Sequence, residues 1–486
     1  MNNNHNKSGL STPLHYREGQ GGGAATQYID LFAQCEAMIC KHSAEALNSL
    51  RAKAFENFKR LGFPTRKVEA YKYTDVSKLF APDYGLNLNR LDIPVNPYDA
   101  FKCDVPNMST ALYFVVNDRF YTATSDELQT TNGNRPNGSL VARSSSSIPD
   151  NILLGSLKEM AELHPDLVAK YYGKLADTGK DAVVALNTML VQDGLLLYVP
   201  KGVVVEKPIQ LVNILRADVN FMVNRRVLIV VEEGAQVRLL MCDHAMDKVD
   251  FLATQVIEAH VGAGATLDLY ELEETTTSTH RFSHLYVQQE ADSNVLVGGI
   301  TLHNGLTRNT THVTLAGSGA SINLCGMAIA DKKQHVDNNT FIDHRVSDCT
   351  SRELYKYVLD DSATGAFAGK VLVREGAQHT SSEQTNRNLC VTREARMYTQ
   401  PQLEIYADDV KCSHGATVGQ LDENALFYMR QRGISEREAR LLLMFAFVGD
   451  VVDSIRLEAL RDRLHLLVEK RFRGEMGKCQ GCAMCK

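Results

Sequence analysis

Along this 486-residue chain the spacing of apolar positions changes character twice. From Tyr28 to Leu79, beginning YIDLFAQCEAMICKHSAEALNSLRAKAFENFKRLGF, apolar residues recur at three and four, the period of an amphipathic helix, with Pro64 breaking the pattern. The run ALYFVVNDRFY alternates as a strand and gives way to a Ser- and Asn-rich stretch, Ser125 to Asn151, that reads as a surface loop. Helical spacing then returns in ILLGSLKEMAELHPDLVAKYYGKLA. These elements predict a mostly helical N-terminal domain over residues 28–180, preceded by a disordered polar tail over 1–27.

From residue 181 to 424 the period shortens. Runs rich in β-branched residues follow one another: GLLLYVP, VVVEKPIQLVNI, RRVLIVVEE, VRLLM, ATQVIEAHV, ATLDLYEL and HLYVQQE. Small-residue turns separate many of them, at Gly234-Ala235-Gln236-Val237, Gly264-Ala265-Thr266-Leu267, Ser293-Asn294-Val295, Gly319-Ala320-Ser321-Ile322 and Gly376-Ala377-Gln378. Their steps are about 28 residues or twice that, a solenoid period. One such coil cannot bury its own apolar face, so coils stack and pair their edges, with glycine supplying positive φ at the corners. A β-sandwich also has many short strands, but it does not explain a steady coil-length repeat. The predicted fold is mainly β, a parallel β-helix (solenoid) core flanked by N-terminal and C-terminal helical domains.

The C-terminal helical domain spans 425–475, through ENALFYMRQRG, SEREARLLLMFAFV and VVDSIRLEALRDRLHLLVEKRF. Ser435 and Glu438 spell a capping box at the second of these helices. Leu441, Leu442, Met444, Phe445 and Val448 then fall on one stripe; periodicity alone favours intramolecular core over a partner's docking face.

Composition narrows the setting. Hydrophobic residues make up 44% and charged residues 23%, and the longest apolar run, Leu441 to Val448, is far short of a membrane span. No membrane insertion is expected. The N-terminus lacks the apolar stretch of a secretory signal, so the expected location is cytoplasmic. There the 11 cysteines stay reduced and favour metal or sulfur chemistry over disulfides. A net charge of -6 with no long basic run argues against a nucleic-acid partner.

Candidate chemistry concentrates in Pro401–Ser435, where a strand-like run meets a helix. Side chains alternate across a strand, so Cys412 and His414 share a face and can share one metal ion. With 11 Cys and 15 His in the chain, such a pair also arises by chance, and packing is its commoner meaning. Residues 476–486 form a Cys-rich tail, KCQGCAMCK at its end, with Cys479, Cys482 and Cys485 at C-x2-C-x2-C spacing. Three thiolates can bind zinc or part of a cluster, but the fourth ligand must come from elsewhere; the alternative is a disordered, oxidation-prone terminus. His244, His260, His280, His284, His303, His312, His335, His344 and His379 have no compact ligand spacing and read as solvated or hydrogen-bonded strand residues. Glu271-Leu272-Glu273-Glu274 reads as a solvated face.

Four blocks carry a resemblance: LEIYADDVKCSHGATVGQLDENALFYMRQRGIS, PTRKVEAYKYTDVSKLF, ALNTMLVQDGLLLYVPKGVVVEKPIQL and GAFAGKVLVREGAQHTSSEQTNRNL. Together, over about residues 55–475, they resemble the SufB/SufD family of the Suf iron-sulfur cluster assembly system. The SufD branch fits better. Its SufB counterpart reads HEAT where this chain has Cys412-Ser413-His414-Gly415-Ala416-Thr417, and the SufB sulfur-accepting cysteine aligns near Thr392. Cys390 is then read as a small buried hydrophobe.

The resemblance implies a right-handed parallel β-helix in a non-catalytic scaffold subunit, not an enzyme. It implies pairing with a SufB-like paralogue through the β-helices, and a SufC-like ATPase bound at the C-terminal helices. It also implies a transient iron-sulfur cluster shared with SufB, with His414 at the shared interface and Cys412 beside it on the strand. No GxxxxGK[ST] is present, so ATP falls to the partner. The competing readings are a β-helix enzyme acting on polysaccharide and a structural solenoid whose Cys and His bind zinc.

Overall fold

A computed structural model describes residues 23–93, 95, 97, 110–121, 149 and 151–475. The N-terminal helical spacing resolves into α1 (Ala24–Lys41), α2 (Glu45–Asn48), α3 (Arg51–Leu61) and α4 (Val76–Phe80). The alternating run after it is a hairpin, β1 (Ala111–Val116) and β2 (Arg119–Tyr121), turning at Asn117 in the left-handed region. Helical spacing was expected from Ile152 onward. Instead Leu153–Ser156 is a strand, β3, held antiparallel against β4 (Gly194–Val199), because a few apolar residues beside an open strand edge gain a ladder there. Helix starts only at α5 (Leu157–Leu163), where Ser156 Oγ accepts from the Glu159 N–H; α6 (Pro165–Tyr171) and α7 (Ala182–Leu190) follow. Asp181 caps α7 by accepting from the N–H groups of Val183 and Val184.

The β-rich middle continues through β5 (Ile209–Leu215), β6 (Phe221–Val231), β7 (Gln236–Ala245), β8 (Phe251–Val261), β9 (Thr266–Glu274), β10 (Thr279–Gln289) and β11 (Asn294–His303). It ends with β12 (Leu306–Leu315), β13 (Ser321–Ala330), β14 (His335–His344), β15 (Thr350–Leu359), β16 (Thr364–Val373), β17 (Ser381–Cys390), β18 (Arg396–Ile405) and β19 (Lys411–Gly419). From β4 onward, even-numbered strands lie side by side and parallel in one sheet, odd-numbered ones in the other. The chain is therefore a parallel β-solenoid in which each coil adds one strand to each sheet, as the repeat predicts. Residues paired between neighbouring coils stand 30 apart at Ile209–Leu239, 26 at His280–Leu306 and 32 at Thr364–Arg396, so the coil is shortest in the middle of the solenoid.

The corners explain why glycine revealed only part of this repeat. A residue with positive φ stands two places before each odd strand from β7 to β17: Gly234, Gly264, Asp292, Gly319, Asp348 and His379. A small buried residue follows each of them, Ala235, Ala265, Ser293, Ala320, Cys349 and Thr380. Asp tolerates the left-handed region through local hydrogen bonding, so half the corners carry no glycine. Gly376 is not such a corner; His379 takes that conformation in its coil.

Alternate residues of both sheets face inward and form a continuous core that includes Leu197, Leu239, Leu269, Val297, Leu324 and Val371. Helices cover the outer faces. Phe32, Phe58 and Phe80 pack with α7 onto Met222, Leu252 and Phe282 of the even sheet. Each buried aromatic of this kind contributes on the order of 1.5–3 kcal/mol. After α8 (Glu423–Gln431), the helices α9 (Glu436–Asp453) and α10 (Glu458–Arg473) cover the odd sheet, with Val448, Val451 and Leu464 packed among Leu240, Leu296 and Met327. The C-terminal stripe is thus divided: Met444 and Val448 are buried, Leu441 and Phe445 pack at the margin, and Leu442 is exposed. Half of the capping box forms. Ser435 Oγ accepts from the Glu438 N–H, while the Glu438 carboxylate turns to Arg473. No helix among the described residues is long and apolar enough to cross a membrane.

The acidic run is not a solvated face. Glu271 and Glu273 point into the solenoid, where Glu271 pairs with Arg281 at 2.7 Å and Glu273 accepts from Thr307 Oγ1 at 2.8 Å. Burial pushes the Glu273 carboxyl up to about 7. Thr275 is a local partner, but Thr307 stands 34 residues further along, so no local pattern announces it.

Candidate functional site at the last coil

Both sheets end at the C-terminal coil, with β18 the outermost strand of one and β19 of the other. Among the described residues each pairs only with the strand beneath it, which leaves a row of backbone N–H and C=O groups unpaired along its outer edge. The consequence shows in exposure. Every residue of β6 is buried, whereas β19 is exposed throughout except for Cys412.

Cys412 pairs with Ser382 and His414 with Gln384, at positions of β17 whose side chains point inward. Cys412 is half-buried and packs against the interior core, where Met397 and Leu403 of β18 also lie. Burial pushes its thiol up, opposed by a backbone hydrogen bond at Ser382. His414, two residues on, lies on the same face but is exposed, because no further coil covers it. Residues i and i+2 of a strand stand about 7 Å apart, which lets a thiolate and an imidazole converge on one metal ion.

The pair supplies two soft donors, whereas closed zinc and cluster sites take four. Among the described residues no group of three or more His, Cys, Asp or Glu is placed to hold a metal ion. Cys412 and His414 alone do not complete such a set. Cys479, Cys482 and Cys485 lie outside the described residues. Cys390 ends β17 half-buried, its thiol pushed up by burial, and Thr392 donates to the Asp361 carbonyl at 2.8 Å.

Most of the other histidines are hydrogen-bonded or buried strand residues. His303 Nδ1 meets the Thr275 carbonyl at 2.6 Å and His260 Nε2 the Tyr171 carbonyl at 3.1 Å. Burial pushes His312 and His344 down to about 4, so both are neutral near pH 7.

Two polar files beneath the pair had no signal at motif spacing. In the first, His344 Nε2 lies 2.9 Å from Ser351 Oγ, which donates to Ser382 Oγ at 2.9 Å; Cys412 comes next on that face. In the second, Gln384 Nε2 donates to Glu353 Oε2 at 2.5 Å, and His414 comes next. Burial raises the Glu353 carboxyl to about 7. Polar residues recurring one coil-length apart, at 31 between Glu353 and Gln384, would have exposed the second file had the varying register been known.

This architecture places the chain among parallel β-solenoid proteins with helical regions at both ends. Residues 23–211 match the model of the SufBD protein N-terminal region, and residues 214–447 match the SufBD core domain of the SUF system for FeS cluster assembly. The chain belongs to the SufBD family of iron-sulfur cluster assembly proteins. It is similar to a SufBD family protein of Synechocystis, at 27% identity over 90% of this chain and 93% of that protein. Iron-sulfur cluster assembly protein SufD of Escherichia coli is 27% identical over 93% of this chain and 97% of its own length. SufD of Bacillus subtilis is 29% identical over 66% and 74% respectively.

Proposed function

We propose that this chain is a non-catalytic scaffold subunit of a SufBCD-type complex, working in the cytoplasm, and that its open solenoid end docks onto a SufB-like paralogue. The observation that carries this reading is the termination of both sheets in unpaired strands, β18 and β19, with Cys412 and His414 on the inward face of the last one. A second solenoid end set against these edges extends the ladders and covers the pair. The nascent iron-sulfur cluster is then the cargo of a shared site, to which His414 and Cys412 bring one imidazole and one thiolate. A SufC-like ATPase docks on the C-terminal helices, where Phe427, Tyr428, Leu442 and Leu466 remain exposed. The tail cysteines Cys479, Cys482 and Cys485 are a further source of soft donors in the same complex. Metal analysis of the full chain against one ending at Gly474 measures what they hold.

The decisive experiment is cluster formation in the reconstituted complex with His414→Ala. A fall of tenfold or more in cluster yield, with the complex still assembling, is expected. Unchanged yield removes His414 from the mechanism. No observation favours the polysaccharide-active or zinc-binding reading.

A further inference from the structure

We infer that Gln384 is the positioning residue of His414, gripping the imidazole from inside the solenoid so that one chosen ring nitrogen faces outward. The inference rests on reading His414 as a ligand in the proposed function, but its geometry comes from the coil beneath.

Glu353, Gln384 and His414 occupy successive strands, β15, β17 and β19, in register on one face. Gln384 is 1% exposed, and its Nε2 donates to Glu353 Oε2 at 2.5 Å. That bond commits the amide: its NH2 end is held by Glu353, and Oε1 is left as an acceptor. Among the described residues, His414 included, this buried Oε1 has no hydrogen-bond partner. On β16 of the facing sheet, Gly369 makes the room for this arrangement, since a Cβ there would lie 2.4 Å from Gln384 Nε2. A buried acceptor in a prepared space calls for a donor, and the next side chain outward on that face is His414. Neighbouring strands lie about 4.8 Å apart, within reach of an amide and an imidazole in register. A neutral imidazole carries one N–H. Once that N–H is donated to Gln384 Oε1, the other nitrogen presents its lone pair away from the core, the form a metal ion takes.

The test uses the full chain with 15N-labelled histidine, comparing wild type, Gln384→Met and Gly369→Ala, with His414→Ala to assign the ring signals. Gln384→Met keeps length and removes the acceptor; Gly369→Ala keeps both groups and displaces the amide. The expected result is a single neutral tautomer of His414 in wild type and a mixture in both variants. Cluster assembly in the reconstituted complex is then slowed about tenfold or more in those variants. An unchanged tautomer ratio in a folded variant, checked by thermal melting, overturns the inference; if Gln384→Met does not fold, Gly369→Ala carries the test. If the tautomer responds while His414→Ala leaves assembly unchanged, the positioning role stands and the proposed ligand role falls.

Discussion

Strands β6 and β19 are built on one plan, each crossing its sheet parallel to the neighbour beneath it, yet β6 is buried at every residue and β19 is almost wholly exposed. The difference is in what lies next to them. β6 has β4 on one side, β8 on the other and the N-terminal helices over its outer face; among the described residues β19 has a neighbour, β17, on one side only. Charge follows the same division. Under the helices, Arg226 and Glu258 form an ion pair at 2.7 Å with almost no exposure of either side chain, and Glu258 also accepts from the backbone N–H groups of Gly173, Leu175 and Ala176. At the open end, Cys412 and His414 are left without such a surround. A solenoid buries what its neighbours cover, so its uncovered end is where reactive donors stay available.

That comparison can be broken most directly by removing a buried charge at the covered end. Glu258→Ala strands Arg226 and three N–H groups, and should cost about 3–5 kcal/mol in urea unfolding. His414→Ala at the open end should cost under about 1 kcal/mol in the same experiment. Equal losses would mean that the last coil is as tightly held as the middle.

The next effect lies beneath the site. Burial raises Glu353 from 4.5 to about 7, so the folded chain holds this proton more tightly than the unfolded chain does. The contribution is full below about pH 4.5 and is lost as pH rises to about 7. Glu353→Gln mimics the protonated side chain. Relative to that variant, wild type should lose on the order of 3 kcal/mol across this window. A pH-independent difference between the two would show that Glu353 is not titrating in that range.

A smaller effect is expected at the edge itself. Val418 on β19 is 50% exposed, so Val418→Lys should leave the melting of the isolated chain unchanged. Against a SufB-like partner it should weaken association about tenfold, by placing a charge where a strand is to dock. Binding at wild-type affinity would move the interface elsewhere. The least change is expected at a corner, where Asp292→Gly brings the residue found at Gly234, Gly264 and Gly319 into the same left-handed position. A gain of under about 1 kcal/mol in denaturant unfolding is expected, and a clear loss would assign the Asp292 side chain a structural role.

Much of this was readable along the chain, because apolar alternation and corner residues are local signals. The runs from GLLLYVP to HLYVQQE locate strands, and Gly234, Gly264 and Gly319 mark three of the corners. Ser293-Asn294-Val295 marks the corner at Asp292, whereas Asp348 and His379 hid the other two by adopting the same φ without glycine. Glu271 and Glu273 misled for a different reason: a carboxylate looks solvated until Arg281 or Thr307 arrives from another strand.

The sequence by itself determined the succession of helical, β-solenoid and helical segments, and the pairing of Cys412 with His414 on one strand face. Both follow from the periods of helix and strand, properties of neighbouring residues. Only the tertiary structure decided that Cys412 is half-buried while His414 is exposed, and that Glu353 and Gln384 lie in file beneath His414. Burial and register are set by which coil lies next, and no local stretch of chain contains that information.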